Sequence, residues 1–491
     1  MDTSRLQPQG LFKIFEQICQ VPRPSRHEGR ISAWLADFGR CHGFDVKVDK
    51  VGNVSITVPA TPGMEGRKTV ILQAHMDMVC ESRRDVEIDF YRDPIRTVVE
   101  GDWLRACGTT LGADDGIGIA AALAVITDPS VKHGPLQCVF TVDEETGLTG
   151  ANAMQPDFME GDILINLDSE DEGEMFIGCA GGCRTDVRFA FSKVAAPQDY
   201  FFFSISISSL VGGHSGDDID KGHANANKIL NRFLCRADEK FDLYLCYIEG
   251  GNKHNAIPRE AMAICAVPMK EREALRVEFN LFAAEIHSEY ASVEKTADLV
   301  LESCESRELA IDRNTTRRFL LAVYAVFNGV YAMNFDVKGL VETSSNLASI
   351  RIEPGDAPYD GFIHIVLSQR SSTLSGRNDV SHAVCATFRL AGADTEVGEG
   401  YPGWKPNANS EILRITVEQY RRLFGKDPVV RAIHAGLECG LFAEKYPKLD
   451  MISFGPTLRG VHSPDERLLI PTADLFWRHL VAVLEAIPDK K

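Results

Sequence analysis

Short apolar runs alternate with a helix-forming segment in the first third of the chain, and this alternation limits the folds that the chain can adopt. Residues 70–73 and 136–142 are mostly apolar and include β-branched side chains, which is typical of strands inside a sheet that is covered on both faces. Residues 116–126 lie between them and are dense in Ala and Ile, a composition that favours a buried helix. The order strand, helix, strand predicts an α/β domain.

The pattern changes near residue 185, where the predicted strands become longer, and the α/β pattern resumes after Trp404. A chain of 491 residues also exceeds what one hydrophobic core usually spans. We therefore predict an α/β domain formed by 1–186 and 401–491. An α+β insertion, 187–400, interrupts it and consists of two similar strand-strand-helix halves, each an open-faced sandwich.

Local capping signals predict the ends of two helices. Ser25 followed three residues later by Glu28 is the pattern of a capping box, which predicts the start of a helix. Ser410 is a favourable N-cap for a helix that runs to Phe424, and Gly425 follows at the position where helices commonly stop.

Composition and charge argue against several classes of protein. With 52 basic and 70 acidic residues the net charge is −18, so the surface would repel a phosphate backbone and we expect no nucleic-acid partner. The first twenty residues show helical spacing rather than a signal peptide, and no apolar run is long enough to cross a bilayer. The 13 cysteines are scattered, which favours reduced thiols. We expect a cytoplasmic protein without a membrane partner.

Five segments carry acids or imidazoles at strand ends and in turns, where open α/β sheets gather their active sites. They contain His75 and Asp77, Asp114 and Asp115, residues 143–145, Asp168, and His462. Each has an ordinary interpretation alone: a histidine such as His75 is often a buried core residue, and acids in the first turn of a helix are favoured by its dipole. Three consecutive acids after a buried strand, however, raise one another's pKa unless a cation lies among them.

Together the segments supply two histidines and at least three carboxylates, which is the ligand mixture of zinc or a similar divalent ion. Two ions about 3.5–4 Å apart need a bridging carboxylate and are suited to amide hydrolysis. A glutamate next to a ligating glutamate is a candidate general base, and this description fits Glu144 beside Glu145.

These segments resemble the aminoacylase, carboxypeptidase and dipeptidase family of di-zinc enzymes, and the resemblance covers essentially the whole chain. The motifs that carry it lie at residues 75–77, 110–114, 143–147, 166–170, 212–216, 255–259, 434–438 and 460–463. The resemblance implies a catalytic domain with a mixed central sheet flanked by helices, and it implies that the predicted insertion is a lid and dimerisation domain.

The resemblance also implies the metal ligands. His75 and Asp168 would bind one zinc ion. Glu145 and His462 would bind the second, and Asp114 would bridge the two. Two zinc ions per subunit are implied, with manganese or cobalt as alternatives, and the peptide bond between Asp114 and the next residue is expected to be cis.

Five further roles follow from the resemblance. Asp77 would orient His75, and Glu144 would deprotonate the attacking water. In the insertion, His214 would stabilise the oxyanion. Asn255 and Arg370 would hold the polar ends of the substrate, with Arg370 suited to a free carboxylate.

The activity implied is hydrolysis of dipeptides, including dipeptides that end in histidine. Deacylation of N-acyl amino acids and aminopeptidase action on tripeptides are alternatives that the same metal pair allows. A binding protein that has lost catalysis is a third alternative. Exposed strand edges in the insertion lead us to expect a homodimer.

Overall fold

The computed structural model describes residues 6–490 apart from 336, 338 and 356. The chain forms two compact units. The first, here called the α/β unit, contains the residues up to 179, residues 404–432 and the residues from 437 onward. The second, here called the insertion unit, contains 180–403 and 433–436. The predicted fold class, a mixed α/β catalytic domain interrupted by an α+β insertion, is confirmed.

A mixed sheet of eight strands forms the core of the α/β unit. In spatial order its strands are Asp45–Val48, Val54–Val58, Leu136–Thr141, Val70–His75, Ile163–Asn166, Asp450–Ser453, Glu174–Cys179 and Val429–Ile433. Val70–His75 pairs in parallel with both Leu136–Thr141 and Ile163–Asn166, and every residue of these three strands is buried. Because the three strands are parallel, their carboxyl ends lie at the same edge of the sheet.

The remaining elements of the α/β unit are helices and a smaller sheet. The helices are Gln9–Cys19, Gly29–Cys41, Ala113–Thr127, Glu144–Gly147, Thr149–Ala153, Glu411–Phe424, Glu438–Lys445 and Ile470–Glu485. The four strands of the smaller sheet are Leu458–Arg459, Arg467–Leu469, Trp103–Ala106 and Thr97–Glu100. Helix Ala113–Thr127 is buried on every side along almost its whole length, as its Ala- and Ile-rich sequence predicts.

One of the two predicted capping signals is confirmed and the other is wrong. The Ser410 hydroxyl accepts a hydrogen bond from the Leu413 amide at 3.1 Å, and the helix ends at Gly425, whose φ is 66°. The earlier helix begins at Gly29 without a side-chain cap. The N-cap position is occupied by Glu28, not by Ser25, whose hydroxyl donates to Asp77 Oδ2 at 2.8 Å.

A sheet of nine strands runs through the insertion unit. Its strands, in spatial order, are Asp298–Ser303, Tyr200–Ser208, Ala261–Pro268, Tyr244–Gly250, Val341–Pro354, Gly361–Ser371, Gly181–Phe191 and Asp394–Val397, with Gly329–Met333 also paired to Val341–Pro354. The helices are Ala226–Phe241, Met269–Glu271 (3-10), Arg272–Glu289, Arg313–Ala325 and Leu374–Leu390, and Lys193–Ala195 pairs with Leu309–Ile311. Pairing of Gly250 with Ile350 joins the two predicted halves edge to edge.

Two expectations about the whole chain can be compared with the described residues. All 13 cysteines are free, so the prediction of reduced thiols rather than a disulfide framework is confirmed. Among the described residues, no helix combines the length and the apolar character that crossing a membrane requires.

His479 is a buried histidine that links two helices of the α/β unit. It lies on helix Ile470–Glu485, is 3% exposed, and its Nε2–H donates to the Thr416 carbonyl at 2.9 Å. Its ring packs 5.2 Å from that of Tyr420 and 4.8 Å from that of Phe454. Burial lowers the pKa of His479 to about 4, and the hydrogen bond to the carbonyl opposes this only in part.

We predict that His479→Gln will weaken the pH dependence of stability. In the wild type the unfolded chain binds a proton near pH 6.5, whereas the folded chain does not do so until about pH 4. The free energy of unfolding should therefore fall as the pH decreases through this window, by an amount on the order of 3 kcal/mol from this residue. Urea midpoints between pH 7 and pH 4.5 measure the slope. The exposed His27→Gln serves as a control, and an unchanged slope in His479→Gln would contradict the prediction.

Candidate metal centre

Three parallel strands deliver site residues to one edge of the main sheet. Val70–His75 ends on His75, and Ile163–Asn166 is followed two residues later by Asp168. Leu136–Thr141 leads into the turn that carries Glu144 and Glu145. The convergence of these three of the five predicted segments therefore follows from the parallel arrangement of the strands.

Asp114 lies between two imidazoles, with one carboxylate oxygen directed at each. His75 Nε2 is 3.0 Å from Asp114 Oδ1 and 3.5 Å from Asp168 Oδ1. His462 Nε2 is 3.1 Å from Asp114 Oδ2 and 2.8 Å from Glu145 Oε2. The five residues predicted as ligands therefore form two groups that share Asp114, and the peptide bond that follows Asp114 is cis, as expected.

These contacts suit cations better than protons. A ring nitrogen carries at most one proton, yet the Nε2 atoms of His75 and His462 each face two carboxylate oxygens. Two ligands held about 2.0–2.2 Å from a tetrahedral zinc ion are roughly 3.3 Å apart, and the separations here range from 2.8 to 3.5 Å. In addition, Glu145 Oε1 is buried without a hydrogen-bond partner among the described residues. The donor set therefore fits divalent ions.

The imidazoles and carboxylates shift one another's pKa strongly. Hydrogen bonds to Asp114 and Glu145 raise the pKa of His462 to about 11, against the opposing effect of burial. Burial alone would raise the pKa of Asp114, but its hydrogen bonds with His462 and His75 outweigh this and the pKa is lowered. The cluster therefore favours positive charge at the positions between its carboxylates.

Asp77 contacts both His75 and the turn that carries the two glutamates. Asp77 is fully buried, and its Oδ1 lies 3.3 Å from His75 Nδ1, an ion-pair distance rather than that of a well-aligned hydrogen bond. The same oxygen accepts the Glu144 amide at 3.0 Å, while Oδ2 accepts the Glu145 amide at 3.3 Å. A carboxylate behind a histidine ligand commonly fixes the ring and its tautomer.

The surroundings of Glu144 favour the protonated form of its carboxyl group. Burial raises the pKa of Glu144 well above its ordinary value, and the negative charges of Asp168 and Glu438 add to this effect, whereas His75 opposes it. A carboxylate with a raised pKa holds a proton more readily near neutral pH. The hydrogen bond from the Glu144 amide to Asp77 fixes the backbone position from which the Glu144 side chain extends.

Two buried charged residues that the sequence did not single out hold the loop before Asp114. The Glu466 carboxylate accepts hydrogen bonds from four consecutive backbone amides, residues 111–114, at 2.8–3.2 Å. Arg23 donates to the carbonyl oxygens of residues 76, 77 and 112. Both are 2% exposed. No local pattern indicates such contacts, since Glu466 lies 352 residues from Asp114 in the chain.

The three insertion-unit residues with predicted roles, His214, Asn255 and Arg370, lie in one region of that unit. Arg370 Nη2 is 3.3 Å from His214 Nε2, and Nη1 donates to Tyr401 Oη at 3.0 Å. The Asn255 carbonyl accepts the amide of Ser215, which follows His214, at 2.8 Å. Arg370 is 7% exposed, and among the described residues it has no carboxylate within ion-pair distance. The contact between Arg370 and Tyr401 was not predicted from the sequence.

Comparison with known proteins places these features in a family. The model of peptidase family M20/M25/M40 matches residues 71–486. The chain is 42% identical over 489 residues to the cytosol non-specific dipeptidase of Escherichia coli strain K12, and 100% of each protein is covered. The crystal structure of aminoacylhistidine dipeptidase from Vibrio alginolyticus matches with a TM-score of 0.93 and 42% identity, covering 100% of this chain and 99% of that one.

A more distant match shows the fold alone. The crystal structure of aminopeptidase PepT from Bacillus cereus ATCC 10987 has a TM-score of 0.62 and covers 98% of this chain and 99% of that one, at 17% identity. At this identity the match carries no information about the substrate.

We predict that Asp114→Asn will lower the metal content of the protein. The amide that replaces the carboxylate is neutral and offers a single oxygen, so it cannot present an anionic oxygen to each imidazole group. Elemental analysis after dialysis against zinc should give fewer ions per chain than the wild type. The exposed Asp157→Asn is the control and should keep the wild-type content. Equal metal content in both variants would contradict the prediction.

Proposed function

The chain belongs to peptidase family M20/M25/M40, and from this premise we propose that it hydrolyses dipeptides at a metal centre formed by His75, Asp114, Glu145, Asp168 and His462. The observation that carries the proposal is the Asp114 carboxylate, whose two oxygens face His75 and His462 at 3.0 and 3.1 Å. Full-length similarity to a dipeptidase supports the substrate class.

We assign two zinc ions to the centre, with manganese or cobalt as alternatives. One group would consist of His75 and Asp168, the other of Glu145 and His462, and Asp114 would belong to both. When bound there, a pair of divalent ions supplies Lewis acidity toward the peptide carbonyl and lowers the pKa of water toward neutrality.

The protein's own acid–base chemistry is assigned to Glu144. Its raised pKa suits a carboxylate that takes a proton from water and later returns it to the leaving amine. Asp77 supports this step indirectly, since it holds both the Glu144 amide and the His75 ring. Asp77 is therefore a positioning residue.

Residues of the insertion unit are assigned to the substrate. His214 would stabilise the oxyanion, and Asn255 would bind a polar end of the dipeptide. Arg370 is buried and has no carboxylate within ion-pair distance among the described residues. An unpaired, buried guanidinium is suited to the free carboxylate of a dipeptide, because it can bind both oxygens at once.

We assign 1–186 and 401–491 to catalysis and 187–400 to a lid that also dimerises in the cytoplasm. In the part of the chain that the structure describes, Asp298–Ser303 and Asp394–Val397 lie at the two ends of the sheet of the insertion unit, and an edge strand can pair with a second subunit. Light scattering that gives only a monomer mass at micromolar concentration would contradict the homodimer.

We predict that dipeptides will be hydrolysed in preference to the substrates of related reactions. A panel of dipeptides that includes β-Ala-His, an N-acetyl amino acid and a tripeptide should be compared by kcat/KM. The dipeptides should be favoured at least about tenfold, a preference of roughly 1.4 kcal/mol. Removal of metal with a chelator should abolish the activity and added zinc should restore it. Preferential hydrolysis of the N-acetyl amino acid or the tripeptide would overturn the proposed substrate class.

We predict that Glu144→Gln will lower kcat by about 10²- to 10⁴-fold, the usual contribution of a general acid–base group. The glutamine keeps the shape of the side chain but cannot take a proton from water. Steady-state kinetics and elemental analysis should be measured on the same preparation, and the metal content should equal that of the wild type. The exposed Glu160→Gln is the matched control.

Two outcomes would remove Glu144 from this role. The first is a kcat close to the wild-type value. The second is a loss of activity that is accompanied by an equal loss of metal, since Glu144 would then act as a ligand.

A further inference from the structure

Glu438 is a buried carboxyl group that the proposed mechanism does not use. It is the first residue of helix Glu438–Lys445 and is 0% exposed. Its Oε2 accepts hydrogen bonds from Gln73 Nε2 at 2.6 Å and from Thr141 Oγ1 at 2.8 Å. Its Oε1 is buried and has no hydrogen-bond partner among the described residues.

Among the described residues, Glu438 forms no ion pair with a basic side chain. In the part of the chain that the structure describes, no lysine, arginine or histidine lies within ion-pair distance of Glu438, and both of its donors are neutral. Burial raises the pKa of Glu438 to about 7, while His75 acts in the opposite direction. A buried charge without a partner is costly, so this position calls for positive charge nearby.

A chain of hydrogen bonds connects Glu438 to the strand ends that carry the proposed ligands. Gln73 Oε1 accepts a bond from Asn166 Nδ2 at 2.6 Å. Asn166 Oδ1 accepts from Ser453 Oγ, which lies 2.6 Å from Ser169 Oγ. The side chains that form these hydrogen bonds come from four neighbouring segments at the carboxyl edge of the main sheet.

The residues in this series of hydrogen bonds lie close in sequence to the proposed metal ligands. Gln73 lies two residues before His75 in the same strand, so the two side chains point to the same face. Ser169 directly follows Asp168, and Thr141 ends the strand before the turn that carries the two glutamates. Through these hydrogen bonds, Glu438 links the segments that carry the proposed ligands.

We propose that Glu438 is a positioning residue of the metal centre, which fixes the strand ends that carry His75 and Asp168 and supplies negative charge that favours bound cations. This inference rests on the proposed metal centre. Partners behind the ligands of a metal site commonly fix ligand orientation and raise affinity, and their removal typically costs about 10- to 100-fold in metal affinity.

The test compares zinc binding by the full-length wild type and Glu438→Gln after both have been stripped of metal. Competition with a chromophoric chelator gives the zinc affinity, and melting temperatures with and without zinc give the stabilisation by metal. The glutamine can still accept both hydrogen bonds but carries no charge. We expect the affinity to fall by about 10- to 100-fold. We expect the melting temperature of the stripped protein to stay equal or to rise, and its increase on addition of zinc to be smaller.

Glu294→Gln is the matched control, because Glu294 is also buried, at 4% exposure, and accepts the amides of Val211 and Ala224 within the insertion unit. It should keep the wild-type zinc affinity. If Glu438→Gln does not fold, Thr141→Val replaces it, since this change keeps the carboxyl group and removes one of its donors. A lower affinity in Thr141→Val supports the proposal.

The outcomes separate this inference from the proposed function. Tight zinc binding by the wild type together with unchanged affinity in Glu438→Gln, or in Thr141→Val where that variant is used, overturns the inference and leaves the metal centre intact. A lower melting temperature of the stripped variant with unchanged zinc affinity overturns it as well, because the role would then be structural. Failure of the wild type to bind zinc, manganese or cobalt overturns the proposed function, and the inference with it.

Discussion

The carboxylate of Asp114 lies between the imidazoles of His75 and His462. Several contacts within the α/β unit hold this buried carboxylate in position. The loop before Asp114 is fixed by the four amides that donate to Glu466 and by the carbonyl oxygens that accept from Arg23. Neither of these residues is a proposed ligand. They matter because a bridging carboxylate must present its two oxygens in fixed directions if two cations are to share it.

The main sheet explains why so many acids can occupy one small volume. Parallel strands end at a common edge, and the residues that follow them are carried there whether or not they attract each other. The strands themselves are fully buried and pack on both faces, so apolar burial holds the acids together against their mutual repulsion. Cations bound among them would remove that repulsion, which links the stability of this edge to the proposed chemistry.

The sequence predicted the features that depend on local pattern. The apolar strands, the buried helix Ala113–Thr127 and the helix limits at Ser410 and Gly425 all follow from periodicity or capping. The capping box predicted at Ser25 and Glu28 failed for a physical reason. Ser25 donates to Asp77, and Glu28 accepts the amides of Arg26 and Asp143, so both side chains serve contacts outside the helix.

The grouping of the proposed ligands and the position of Asp77 beside His75 were suggested by family resemblance, whereas three other buried residues that support this region were not predicted. Arg23, Glu466 and Glu438 each act through contacts that join segments tens to hundreds of residues apart. A single buried acid in a sequence looks the same whether it supports a site or not. Only the folded arrangement shows that Glu438 has no basic partner within ion-pair distance among the described residues and that it contacts two strands that lead to proposed ligands.

Anomalous diffraction at the zinc edge, from crystals of the zinc-loaded protein, tests most directly whether Asp114 bridges two cations. We predict two peaks about 3.5–4 Å apart, one bound by His75 and Asp168 and the other by Glu145 and His462, each bound to a different oxygen of Asp114. A single peak, or two peaks neither of which contacts Asp114, would contradict it.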